Sequence, residues 1–210
     1  MKNKVIVFDM DGVLFDTIPY ARKVFLETHP GVTENMYNEL HSGNFHIEHK
    51  KYSHLRISQT EEEKNIHHQK YSEIKSKTPM FQGIKELLEK LHKMGYILIV
   101  NTNAYEKNCL PIFENSKITH LFDFIATAEL SKNKTEKFKI IQDKYNINSK
   151  DVIFITDALG DVKESYIVNI STIVVTWGVH NNSFFDLKKY SNIIGIVDTV
   201  KELGDFIEKF

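Results

Sequence analysis

The spacing of apolar residues changes character twice along this chain. Val5, Ile6, Val7 and Phe8 form an unbroken, largely β-branched apolar run, as expected of a strand covered on both faces of a parallel sheet, and Gly12 breaks it. From Thr17 to about Lys77 no good strand pattern occurs. A helix through Val24 and Phe25 is predicted there, capped by Asp16, with Pro19 tolerated in its first turn and Pro30 and Gly31 ending it. Two or three polar helices follow, one of them strongly charged near residues 61–77. From Pro79 onward, helix and strand patterns alternate. Ile84, Leu87, Leu88, Leu91 and Met94 make one helical face closed by Gly95, and strands are predicted over 96–100, 124–126, 152–155 and 172–175. Helical stretches near 106–114, 135–145 and 161–168 separate them. Residues 193–197 read as an edge strand, and Val200, Leu203, Ile207 and Phe210 stripe a final helix.

Alternating helices and strands are the signature of a parallel sheet with right-handed crossovers, so the expected class is a doubly wound α/β fold. The strandless stretch interrupts it. The expected organisation is an α/β core made of residues 1–16 and 79–210, with an inserted helical unit at 17–78. About sixty residues is somewhat small for an independent domain.

With 210 residues, 41% of them hydrophobic, the chain can bury a sizeable core. Its formal charge of −1 argues against a nucleic-acid or anionic-membrane partner, which would favour a basic excess. Cys109 is the only cysteine, so no internal disulfide is possible and a reducing compartment is the simpler expectation. The basic start at residues 1–4 leads into an apolar run that Asp9 interrupts before it could act as a signal peptide or span a membrane. A cytoplasmic protein is expected.

The candidate chemistry begins where the first strand ends. Asp9 and Asp11 stand one residue apart, in the position where open α/β sheets bind ligands. Like charges that close are costly to bury unless a cation joins them. Asp and Gly are also ordinary turn residues, so a lone DxDG settles little. The longer stretch VIVFDMDGVLFDT resembles the first motif of the haloacid dehalogenase (HAD) superfamily. With Val13, Leu14, Asp16 and Thr17, it is similar to the phosphoglycolate phosphatase and β-phosphoglucomutase branch. The resemblance implies a HAD-like Rossmannoid core carrying a small α-helical cap.

It also implies roles at three further strand ends. GYILIVNTN is similar to the family's strand ending in a hydroxyl residue. It would place the Thr102 hydroxyl and the Asn103 backbone N–H on a phosphate, with Asn101 the alternative if the register slips by one. In SKNKTEKFKII, Lys134 would bring an ammonium to the anionic site, with Lys137 its rival. VIFITDALGDV resembles the acidic motif: Asp157 would bind metal directly, and Asp161 would orient its waters, bond a neighbouring loop, or simply cap a helix. Asp9, Asp11 and Asp157 together offer hard oxygen donors with no nearby His or Cys pattern, which favours Mg²⁺ over Zn²⁺.

On this resemblance Asp9 would attack phosphorus to form an aspartyl-phosphate. Asp11 would protonate the leaving oxygen and then take a proton from water, with its backbone carbonyl available to the metal. The dehalogenase branch generally lacks the second acid, so Asp11 points to phosphoryl transfer. The expected activity is hydrolysis of a small phosphomonoester. A sugar phosphomutase is the alternative, and a non-enzymatic phospho-acceptor module ranks third because the acidic pair follows the first strand and a large insert follows the pair. The insert would exclude water and select the leaving group. Its His46, His49, His54, His67 and His68 complete no recognised ligand spacing and read as a solvated helical face. Lys50, Lys51 and Arg56 could meet an acidic substrate, though such residues usually meet only water. Trp177 reads as core packing.

Overall fold

The strands β1 (Val5–Phe8), β2 (Ile97–Asn101), β3 (Phe124–Ala126), β4 (Val152–Thr156), β5 (Ser171–Val175) and β6 (Ile193–Val197) pair side by side in the order β3-β2-β1-β4-β5-β6, every pairing parallel. They come from a computed structural model that describes residues 4–209. The first three residues of the basic start, and Phe210 of the terminal stripe, lie outside the described residues.

β1 is buried at all four positions, which explains why its sequence shows no alternation. Its neighbours match it residue for residue: Phe8 faces Val100 of β2 on one side and Ile155 of β4 on the other. Ile6, Phe8, Leu98, Val100, Ile153 and Ile155 pack against α5 (Ile84–Lys93), α6 (Glu106–Asn115) and α9 (Val200–Ile207), where Leu88, Phe113 and Leu203 are fully buried. Val5, Val7, Ile99 and Phe154 face α7 (Lys134–Tyr145) through Phe138 and Ile141, and α8 (Leu159–Ile167) lies over β5 through Val162 and Val174. The sheet is therefore covered on both faces, a doubly wound α/β fold. Each fully buried Leu, Ile or Phe stabilises this packing by roughly 1.5–3 kcal/mol. In α5 the expected face is buried except at Met94, which is half exposed beyond the last turn. Gly95 follows at φ +85°, the left-handed conformation that ends a helix most cheaply in glycine.

Residues 18–76 hold α1 (Ile18–Thr28), α2 (Glu34–Leu40), α3 (Phe45–Glu48), a 3₁₀ turn over His49–Leu55 and α4 (Glu61–Ser76). The start of α1 differs from the expectation that Asp16 caps it. Thr17 is the N-cap residue and Asp16 is exposed; Thr17 makes no capping bond because its hydroxyl is engaged by Asp11, 2.5 Å away. Tyr37 and Leu40 of α2 share a small apolar cluster with Ala158 and Val179, which seats the helical segment on the sheet's carboxyl edge. The loop after α2 fastens it there. Gly160 N–H donates to the His41 carbonyl at 2.8 Å, His180 Nε2 to the Asn38 carbonyl at 2.9 Å and Asn44 Nδ2 to Glu164 Oε1 at 2.6 Å.

Candidate active site

Chain order runs outward from β1 to β2 and β3 on one side, and from β4 to β5 and β6 on the other. The boundary between β1 and β4 is thus the point where the winding reverses, and adjacent crossovers leave a crevice at such a point. Asp9 and Asp157 follow these two strands and meet there. Asp9 is tied back by its N–H to the Ile155 carbonyl at 2.9 Å, and both carboxylates are buried. Burial pushes Asp9 up to about 7, helped by the neighbouring Asp161 and Asp11 and opposed by Lys134. Burial, then the Asp9 charge, likewise pushes Asp157 well above the usual carboxylate range, against the pull of the Val179 N–H at 2.6 Å. Two desolvated carboxylates side by side are of the kind that a cation stabilises.

A Cβ built on Gly12 or on Gly178 would fall 2.1 Å from Asp157 Oδ2, so only glycine at both positions lets this carboxylate pack where it does. Gly12 also sits at φ +77°, a conformation other residues rarely adopt. Among the described residues no group of three His, Cys, Asp or Glu side chains is arranged to hold a metal ion, and the Asp11 carboxylate is engaged elsewhere. Hard carboxylate oxygens of this kind suit Mg²⁺ rather than a softer metal.

The Asp11 carboxylate instead meets the helical segment. Lys75, near the end of α4, lies 2.7 Å from its Oδ1 and 3.0 Å from its Oδ2, and the Thr17 hydroxyl donates to the same group. Lys75 is buried, and Asp11 nevertheless holds its ammonium above the ordinary lysine value.

Lys134 is the first residue of α7 and 1% exposed. Its ammonium bridges Asp9 Oδ1 at 2.7 Å and Asp161 Oδ2 at 2.5 Å, while its N–H donates to Glu164 Oε2 at 2.6 Å. Asp161 does not cap α8, whose N-cap is Ala158. It accepts from the Thr156 hydroxyl at 2.8 Å and fixes Lys134. Thr102 and Asn103 line the same cavity as Asp9, whereas Asn101 points to the α7 side and bonds the Lys134 carbonyl at 3.4 Å.

Lys137 is fully buried away from the cavity and donates to the Thr102 carbonyl at 2.5 Å and to Asn103 Oδ1 at 3.0 Å. Burial, reinforced by Lys134, pushes it down from 10.5 to about 7. A lysine whose folded value lies below its unfolded one stabilises the fold at high pH, and that contribution is lost as pH falls from 10.5 through about 7. Lys137→Met is therefore expected to gain stability relative to the parent between pH 9 and pH 6.5, read by urea denaturation. Parallel curves would contradict the burial argument.

The helical segment roofs these groups with a cavity of about 460 Å³, lined by Asp9, Asp11, Lys75, Thr102, Lys134 and Asp157 at one end and by rings of α1 to α4 at the other. His46, His49 and His67 are half-buried and line it, which corrects their reading as a solvated face; His68 is exposed at the lining, and His54 is exposed outside it. His46 Nε2 donates to the Asn103 carbonyl at 3.1 Å. Trp177 lies outside the cavity, packing beside Phe81 and donating to the Val13 carbonyl at 3.3 Å.

The family model described as haloacid dehalogenase-like hydrolase matches residues 6–175, from β1 through β5. The chain belongs to this family. It is similar to a phosphoglycolate phosphatase of Aliivibrio fischeri, 24% identical over 198 residues, covering 85% of this chain and 86% of that protein. A crystal structure of a predicted phosphatase from Clostridium acetobutylicum aligns over 99% of both chains with a TM-score of 0.77 and 25% identity. A β-phosphoglucomutase from Clostridium difficile shares the fold at 20% identity and a TM-score of 0.72, over 98% of this chain and 96% of that one.

For a HAD-like hydrolase the structure brings Asp9, Asp11, Thr102, Asn103, Lys134, Asp157 and Asp161 to one cavity end. Lys75 and Glu164 escaped the sequence reading, and Lys137, the alternative to Lys134, lies outside the cavity lining. His67, Tyr71 and Lys75 recur every fourth residue on α4, a stripe that could have marked a face turned inward. Glu164 left no comparable signal.

Proposed function

We propose that this chain is a Mg²⁺-dependent phosphomonoesterase working through an aspartyl-phosphate on Asp9, with residues 17–78 as its cap and the rest as its catalytic core. The observation that carries this reading is the buried Asp9 held between Lys134 and Asp157 at the winding reversal of the sheet. Relatives named phosphoglycolate phosphatases support the ester class. Asp9, Asp157 and the Asp11 carbonyl would hold the metal, which when bound offsets the charge of a phosphate dianion approaching a carboxylate.

Asp9 attacks phosphorus, and the bond to the leaving oxygen breaks as that oxygen takes a proton from Asp11. Water then attacks the acylated phosphorus, giving its proton to Asp11 and releasing inorganic phosphate and Asp9. Thr102 donates its hydroxyl, and Asn103 its N–H, to the transferring phosphoryl oxygens. Lys134 adds an ammonium that Asp161 keeps in place. Lys75 and Thr17 orient the Asp11 carboxylate from the cap hinge, so Lys75→Met is expected to lower kcat by about 10²-fold, the scale of a displaced acid–base group. Unchanged kcat would remove Lys75 from this role.

The test is a panel of phosphorylated metabolites assayed for phosphate release with and without Mg²⁺, with Asp9→Asn as control. Turnover that requires both Mg²⁺ and Asp9 is expected. Weak hydrolysis alongside bisphosphate-stimulated isomerisation of a sugar phosphate would replace the phosphatase reading with a mutase.

A further inference from the structure

The cavity beyond the phosphate end is built from rings. Phe25, Tyr37, Phe45 and Tyr71 line it together with His41 and His67. From these walls we infer that the site selects phosphomonoesters whose leaving group carries a flat aromatic or heteroaromatic ring, as in a nucleoside monophosphate or a pyridine-based phosphate. This deepens the phosphatase reading and rests on it.

Three observations converge. The first is size: about 460 Å³ falls within the roughly 300–1,000 Å³ typical of pockets for ligands far larger than a two-carbon acid. A small aliphatic ester would leave most of the ring-lined wall unfilled. The second is charge. Both lysines that line the cavity are committed to carboxylates, Lys75 to Asp11 and Lys134 to Asp9 and Asp161. Burial lowers His29, His46 and His68, and lowers His41 to about 4, so burial works against positive charge on these imidazoles. Arg56 is the remaining lysine or arginine in the lining, and it is exposed. A second carboxylate on the substrate would find little to pair with in this wall.

The third observation is the unmet polar groups. His41 and His67 belong to the cavity lining, and their Nε2 atoms are buried with no hydrogen-bond partner. Burying such atoms is costly unless something bonds them. A heterocycle supplies donors and acceptors around an apolar face, matching isolated imidazole nitrogens set among rings. The wall already accepts such rings: His29 stacks on Phe25 at 4.1 Å and 5°, and His49 on Phe45 at 5.7 Å and 14°. An incoming heteroaromatic ring would meet the same kind of surface.

The experiment compares kcat/KM for uridine 5′-monophosphate, pyridoxal 5′-phosphate, 2-phosphoglycolate and glycerol 3-phosphate on the full chain with Mg²⁺. A preference of about tenfold or more for either ring-bearing ester is expected, and which of the two wins distinguishes a nucleotide from a pyridine substrate. His41→Phe keeps the ring and removes the nitrogen. It should cut the ring-to-aliphatic ratio by about three- to tenfold, the worth of one neutral hydrogen bond. Phe45→Leu should cut it by about fivefold or more through lost stacking.

Equal or greater efficiency on the aliphatic esters, still dependent on Asp9, overturns the inference and leaves the phosphatase reading standing. If no ester is turned over, the phosphatase reading fails. Calorimetric titration of Asp9→Asn with the same four esters then decides the pocket: selective binding of a ring-bearing ester upholds it, and equal or absent binding overturns it.

Discussion

Replacing Asp9 by Asn is expected to lower kcat on every phosphomonoester by about 10⁴–10⁶-fold, the scale on which enzymes lose activity when a nucleophile is removed. The amide keeps the shape and the backbone bond to Ile155, so the fold should persist. Its stability should even rise at pH 8. Asp9 is held near 7, above the ordinary carboxylate range, mainly by burial. Its ionisation therefore costs stability progressively as the pH rises from about 3.8 through about 7, and an uncharged amide avoids the cost. Stopped-time phosphate release and thermal melts at pH 5.5 and 8 measure both effects. Turnover within tenfold of the parent would mean that another group attacks phosphorus.

Lys134→Met should lose both activity and stability. The ammonium is buried between Asp9 and Asp161, with Asp157 close by, so its removal leaves a buried acidic cluster without its nearest cation. Breaking a buried pair from one side costs about 3–5 kcal/mol, and losing a preorganised charge at a transferring phosphoryl group costs about 10²–10³-fold in kcat. The sign with pH is specific. With Lys134 gone the carboxylates titrate still higher, so the variant is destabilised more at pH 8 than at pH 5, where protonation relieves the cluster. Added Mg²⁺ should restore part of the loss at pH 8 by binding the same acids. A uniform loss at both pH values would indicate a packing defect instead.

Much of this arrangement was legible along the chain because strands and strand ends are local events. All six strands were placed within a residue or so at each end, and Asp9 and Asp157 stood out because each follows a continuous apolar run. Other choices needed the fold. Asn101 against Thr102 was a matter of one residue of register, and a single step along a strand reverses the side a residue faces; Asn101 lies under α7 and Thr102 over the cavity. Lys134 and Lys137 both lie early in one helix, three positions apart, and only packing shows that one reaches Asp9 while the other braces the Thr102 loop. Asp16 looked like a helix cap by residue type, yet Asp11 recruits the neighbouring Thr17 hydroxyl.

Sequence alone determined the alternating α/β order, the strandless stretch between Asp16 and Pro79 and the acidic residues at the ends of β1 and β4, because periodicity and chain breaks are written within a few residues of each other. Tertiary structure decided that Asp11 is paired with Lys75, that Glu164 links Asn44 to Lys134, and that His46, His49 and His67 of the helical segment line the cavity. Each of these joins residues separated by a long stretch of chain. Their pairing depends on how the helical segment settles on the sheet edge, and no local pattern records that geometry.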